Sequence, residues 1–196
     1  IDMPLIVKIA SIQKERMQVY FIDNDEYFKL EESFDKDGEL YADNDERCIF
    51  FAKGIVETVK KLNWSPDLIH IQGWLGALLP LYLQTYCKEE PIFQHTKVIT
   101  SVLREPFIGS LDEGILEKIA FDEITPDQAP ELKEPNSMNL IKLASRYSDG
   151  ITTLRGTLPQ EAISYITSLG KPFLCEENIE TTCKSYPQFY KEVMGK

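Results

Sequence analysis

The sequence predicts an α/β domain built on a mainly parallel sheet, and three observations carry that prediction. Residues 67 to 71 are a short apolar run followed almost at once by Gly73, so a buried strand, a sharp turn and a helix opening near Trp74 are expected in sequence. KVITSVL (97 to 103) is a second buried strand after that helix, which gives the β-α-β order that a parallel crossover requires. GITTL (150 to 154) follows the helical pattern MNLIKLASRYS and supplies a third strand of the same kind.

The remaining elements follow in chain order. PLIVKIASI (4 to 12) and RMQVYFI (16 to 22) alternate apolar and polar residues about Gln13 to Glu15 and predict a hairpin. Asn44 is expected to cap a helix whose core stripe is Cys48, Phe51, Ile55, Val59 and Leu62. Lys53, Glu57 and Lys61 would form its outer face through i,i+4 pairs. Residues 104 to 136 hold nine acids against three bases and four prolines, which predicts a solvated acidic excursion with one short helix around Leu111 to Ala120. Thr157 and Gln160 read as a capping box opening a helix that Gly170 and Pro172 close, and KPFL begins a last strand or connection. One domain over residues 1–196 is expected.

Composition excludes several classes. The chain has 43% hydrophobic and 27% charged residues, the balance of a globular domain and not of a disordered one. A net charge of −11 with no cluster of Lys and Arg argues against a nucleic-acid partner. Residues 68 to 87 carry no formal charge over 20 positions, but His70, Gln72, Gly73, Gly76, Pro80, Gln84 and Thr85 make a core strand and helix the better account than a membrane span. Cys48, Cys87, Cys175 and Cys183 have no CxxC spacing and fit reduced thiols in a cytoplasmic setting. The sequence opens at Ile1 without a methionine, which suggests a trimmed or processed segment.

Signatures of catalysis are sparse. The chain has no GxGxxG, P-loop, GxSxG or HExxH, and two histidines give a zinc site little to build on, so neither metal nor cofactor is expected. DKDGELYADNDE (35 to 46) places its glycine at position four where a calcium loop needs it at six. Asp23-Asn24-Asp25 can meet sugar hydroxyls, although Asx residues after a strand are more often turn formers. Trp74 can stack on a sugar ring or pack the first helical turn. His70, flanked by Ile69 and Ile71, reads as a hydrogen-bonded core histidine.

WSPDLIHIQGWLGALLPLYL (64 to 83), together with YFIDNDEYF (20 to 28) and DNDERCIFFAKG (43 to 54), resembles the amino-terminal domain of the ADP-glucose-type glycogen and starch synthases. The resemblance covers residues 17 to 103 closely and 137 to 165 more loosely. It implies a single Rossmann-like domain equivalent to the amino-terminal half of a GT-B glycosyltransferase, lacking its first strand and helix. It also implies a family activity of glucose transfer from ADP-glucose to α-1,4-glucan. The family's His-Asp-Trp-His falls on Gln72, Gly73, Trp74 and Leu75, its Thr-Ile-His-Asn on Thr100, Ser101, Val102 and Leu103, and its Val-Ser-Pro on Leu154, Arg155 and Gly156. The Lys-x-Gly-Gly-Leu donor loop and the second domain have no counterpart in these residues.

By that resemblance Asp23, Phe28, Gln72, Gly73, Trp74 and Thr100 are the candidate ligand-binding residues, and none is catalytic. A neutral amide at Gln72 cannot take the charge of a histidine, and a single domain has no cleft to close on donor and acceptor. The expectation is therefore a non-catalytic glycogen-synthase-like chain that binds α-glucan or ADP-glucose, or has a regulatory role. The alternatives are a piece of an active glucosyltransferase and a protein-interaction module. Self-association through the exposed cleft face is the further partner expectation.

Overall fold

A computed structural model describes residues 3–28, 39–104 and 107–196. Among these residues the strands form two sheets. β1 (Ile6–Ile12) and β2 (Met17–Asp23) pair antiparallel around the turn Gln13–Glu15, as the alternating pattern predicts. β3 (Leu68–Gln72), β4 (Lys97–Val102), β5 (Gly150–Leu154) and β6 (Phe173–Glu176) form a parallel sheet whose strand order follows chain order. The helices are α1 (Asn44–Lys61), α2 (Leu79–Gln84), α3 (Ile115–Ala120), α4 (Ser137–Tyr147), α5 (Gln160–Ser168) and α6 (Ile179–Met194).

The two faces of the sheet are covered by different helices. Strand alternation turns Ile71 and Val98 toward the cluster formed with α1, α2 and α4. The opposite face, with Ile99 and half-buried Leu68 and Leu174, is covered by Phe189 and Val193 of α6. That helix was not anticipated from the sequence. It opens on a reciprocal cap, Asn178 Oδ1 accepting from Thr181 N at 3.0 Å, and ends on Gly195 in the left-handed region. Gly150 permits its approach, because a Cβ there would stand 2.7 Å from Val193 Cγ2.

Several local expectations are corrected. Asp43, not Asn44, is the cap of α1, and its carboxylate accepts from Arg47 Nε at 3.0 Å and not from the helix backbone. The buried stripe of α1 is Cys48, Ile49, Ala52, Val56 and Val59, while Phe51 and Ile55 are half-buried and Leu62 is exposed. The stripe rotates because the helix is buried on more than one side, by α2 and the turn before it, by α3 and by the hairpin. Lys53 pairs with Asp122, and Glu57 lies 3.7 Å from Lys60, so the i,i+4 pairs do not form. Trp74 opens a single 3-10 turn to Gly76, and the helix proper starts at Leu79. Pro159 caps α5; Thr157 instead donates its Oγ1 hydrogen to Leu154 O at 2.8 Å.

The largest correction concerns residues 104 to 136. Leu111, Ile115, Ile119, Ile124, Ala129 and Leu132 are all buried within the main core cluster, so the segment is not a solvated excursion. Its described acids point outward or pair: Glu131 accepts from Arg146 at 2.7 Å, and Asp122 pairs with Lys53 and accepts from Tyr82 Oη at 2.7 Å. Its ends are pinned together by Leu111 N donating to Pro135 O at 3.0 Å. Charge counting missed this because the four-residue spacing of Leu111, Ile115 and Ile119 survives inside an acidic stretch.

The sequence 35 to 46 dismissed as a calcium loop lies partly outside the described residues. Among those described, no group of three or more His, Cys, Asp and Glu is placed to hold a metal ion, and no helix is long and apolar enough to cross a membrane. The four cysteines are free thiols.

Candidate functional site

β3 and β4 end side by side, with Gln72 in register with Ser101, and the chain leaves β3 through Gly73 at φ 85° and ψ 153°. That backbone region is open essentially to glycine alone, so the loop shape after β3 depends on this residue. Trp74 follows directly and is half-buried, its ring edge-on to Phe107 with centroids 5.1 Å apart. A cavity of about 220 Å³ opens beside it at the carboxyl ends of the strands, where open α/β sheets place their ligands. Gly73, Trp74, Thr100 and Arg104 line one side, and Leu140, Ile141 and Ala144 of α4 form the other.

Three of the six candidate residues thus meet at one cavity. Gln72 is exposed at the end of β3 and does not line it. Thr100 lines it while its hydroxyl is shared with Ser148 Oγ at 2.7 Å. Asp23 and Phe28 stand apart. Asp23 pairs with Lys8 across the hairpin, and Phe28 packs on Phe50 with ring centroids 5.9 Å apart. Between them Asn24 is buried and forms a turn, Oδ1 accepting from Glu26 N and Tyr27 N at 2.9 and 3.0 Å. The α4 residues carry no sequence signal that distinguishes a cavity wall from core.

The described lining offers one titratable group, Arg104, and no carboxylate, imidazole or thiol. Its chemistry is an aromatic ring, an apolar wall, a hydroxyl and a cation at the mouth. This suits a ligand with apolar faces and hydroxyl edges, and among the described residues it contains no general acid or base.

His70 lies on the other face of the sheet. Its Nδ1 is 2.7 Å from Tyr190 Oη and its Nε2 is 2.6 Å from Ser101 Oγ, so one nitrogen donates and the other accepts. Tyr186 and Tyr190 stack on each other, and both stand edge-on to the imidazole. Ser101 Oγ also lies 2.6 Å from Thr152 Oγ1. This is the hydrogen-bonded core histidine that its apolar neighbours predict. Burial holds its pKa below the ordinary 6.5. As pH falls through that ordinary value the unfolded chain takes up a proton that the folded chain refuses, so stability drops until the folded pKa is passed. The parent should lose more stability than His70→Gln between about pH 7 and pH 5, measured by urea denaturation at each pH. Parallel profiles for the two proteins would show that His70 does not titrate differently in the two states.

Comparison with known proteins decides the family. The sequence model for the starch synthase catalytic domain matches residues 1–170. The chain belongs to that family. The glycogen synthase of Chlorobium limicola is 30% identical over 154 residues, which is 76% of this chain and 30% of that relative. The glycogen synthase of Aeromonas salmonicida is 27% identical over 163 residues, 83% of this chain and 33% of the relative. The chain therefore spans about a third of the length of these curated relatives. Among solved structures, the catalytic domain of starch synthase IV from Arabidopsis thaliana, bound to ADP and acarbose, superposes with a TM-score of 0.67. The alignment covers 89% of this chain and 37% of that one at 18% identity, which bears on the fold. The starch synthase assignment and the Rossmann-like α/β fold expected from the sequence are both borne out. The backbone conformation of Gly73 is one that a residue with a side chain reaches only with strain.

Proposed function

We propose that this starch-synthase-family chain is a non-catalytic α-glucan-binding domain, with residues 1–196 forming one unit. The observation that carries this reading is the cavity beside Trp74. It keeps the strand-end position and the tryptophan, yet its described lining holds no group able to donate or accept a proton in glycosyl transfer. Transfer with a diphosphate leaving group also needs positive charge or oriented N–H donors on the departing oxygens, each typically worth about 3–4 kcal/mol. Arg104 is the one positively charged side chain in the described lining. ADP-glucose is the second ligand to test, since the solved relative carries ADP together with acarbose.

Two measurements test the reading. The product of the complete reading frame is assayed for glucose transfer from ADP-glucose to glycogen, beside an authentic glycogen synthase; transfer would overturn the non-catalytic assignment. Calorimetric titration with maltoheptaose reads binding directly. Trp74→Ala is expected to weaken it about tenfold, the loss of one stacked aromatic surface. An unchanged affinity in the folded variant would remove Trp74 from recognition.

A further inference from the structure

The hairpin and α1 enclose a second cleft, on a different part of the molecule from the strand-end cavity. Leu5 and Ile22 press onto α1 at Gly54, where an added Cβ would stand 3.1 Å from Ile22 Cγ2. On the same hairpin face, strand alternation places Ile9 with Tyr20 and Ser11 with Gln18 further from that contact. The helix ends at Lys61, so the tip of the hairpin overhangs its last turn and leaves a cleft of about 670 Å³. That volume lies within the range of about 300–1,000 Å³ usual for ligand pockets.

The cleft is lined by Trp64 and Leu62 from the helix end and by Tyr20, Gln18, Gln13 and Arg16 from the hairpin. Asn63, in the left-handed region at φ 48°, turns the chain after α1, and Trp64 N donates back to Val59 O at 3.3 Å. A residue in that place commonly closes an apolar contact back onto the helix. Trp64 instead leaves 55% of its surface exposed, and Leu62 leaves 41%. Opposite them, Tyr20 Oη donates to Gln18 Oε1 at 2.6 Å, which fixes the orientation of that amide. Arg16 sits at φ 51°, a conformation that costs a residue with a Cβ energy and that glycine or asparagine would adopt more readily. In a chain of net charge −11 this lining contains no carboxylate and a single cation.

We propose that this cleft is a second carbohydrate site, taking a neutral α-1,4-glucan across Trp64. Sugar rings present an apolar C–H face and an edge of hydroxyls. The indole and the Tyr20 ring suit the first, while the amides of Gln13 and Gln18 and the Arg16 guanidinium suit the second. A lining without carboxylates, carrying one cation, matches an uncharged ligand better than a basic peptide. The choice of α-1,4 linkage rests on the glucan reading given above, whereas the cleft and its sugar-like lining do not.

The sequence contains two tryptophans, Trp64 and Trp74, so Trp74→Phe leaves the cleft indole as the sole tryptophan reporter. Titrating that variant with maltoheptaose is expected to change Trp64 emission saturably. Adding Trp64→Ala should raise the remaining Kd about tenfold by calorimetry, with an unaltered melting curve because the side chain is mostly exposed. Gln18→Ala should weaken binding while leaving the indole in place. A silent Trp64, or binding indifferent to both substitutions, would overturn the site. An equal response to cellohexaose would overturn the α-1,4 assignment. A Trp64-dependent dimer in sedimentation without any sugar response would overturn the proposal in favour of self-association. Affinity unchanged in Trp74→Ala together with a saturable Trp64 response would be failure of the strand-end reading alone, whereas a silent Trp64 with binding that depends on Trp74 would be failure of this one.

Discussion

Ile115→Ala is expected to lower the free energy of unfolding by about 2–5 kcal/mol, the usual range for truncating a buried isoleucine or leucine. Ile115 and Ile119 are fully buried on one side of α3, and they enter the same cluster as Val56 of α1 and Leu143 of α4. The loss has two parts, the transfer energy of the removed methyl groups and the void left behind. Relaxation into that void is limited here, because α3 is fixed from outside by Lys118, whose Nζ donates to Asp45 at 2.6 Å and lies 2.9 Å from Glu46. Asp45 is buried, and burial raises its pKa against the opposing pull of Lys118, so the pair anchors α3 without adding much stability of its own. Urea denaturation should show the midpoint falling at an unchanged slope. A change below about 0.5 kcal/mol, the size of an ordinary surface substitution, would return residues 104 to 136 to the status of a solvated loop.

The strands were legible because each is a short apolar run whose register in a parallel sheet leaves little freedom: β3, β4 and β5 fall within a residue or two of their expected bounds. The hairpin was legible for a different reason, the period-two pattern around Gln13 to Glu15. Helix faces were less so. α1 is apolar on more than one side, so Cys48 and Val59 were correctly placed inside while Leu62 was not. The helix starts misread at Asn44 and Thr157 share a cause. Both have a polar residue near the boundary, but Asn44 already lies within α1 and the Thr157 hydroxyl is held by Leu154 O.

At the site, Gly73, Trp74 and Thr100 follow from position alone, since they stand at the ends of adjacent strands. The opposing wall of Leu140, Ile141 and Ala144 does not, because residues 103 to 136 intervene between β4 and α4 and only tertiary packing brings α4 back. The Trp64 cleft did carry a signal that went unused. A tryptophan three residues past a helix end and a hairpin carrying Gln13 and Gln18 can each be noticed in sequence, although their juxtaposition and the exposure of the indole cannot.

Phe189→Ala is expected to remove about 3–5 kcal/mol, the range for emptying a buried phenylalanine site. Phe189 is 4% exposed and fills the space between Ile99 of β4 and the backbone at Gly150, where the sheet offers no side chain of its own. α6 escaped the sequence reading because Pro187 interrupts its middle. Yet the spacing of Tyr186 with Tyr190 and of Phe189 with Val193 places four large side chains along the face that meets the sheet. A proline eight residues into a helix removes one backbone hydrogen bond and works against the helix by about 3 kcal/mol. Packing must therefore exceed that penalty, and loss of Phe189 should be felt across the whole element. Hydrogen exchange gives the decisive reading: amides of α6 and of β4 should lose protection together in the variant. If α6 exchanged alone while β4 kept its protection, the helix would be an independent cover resting on a sheet that is stable without it, and His70 would then become accessible through Tyr190 without global unfolding.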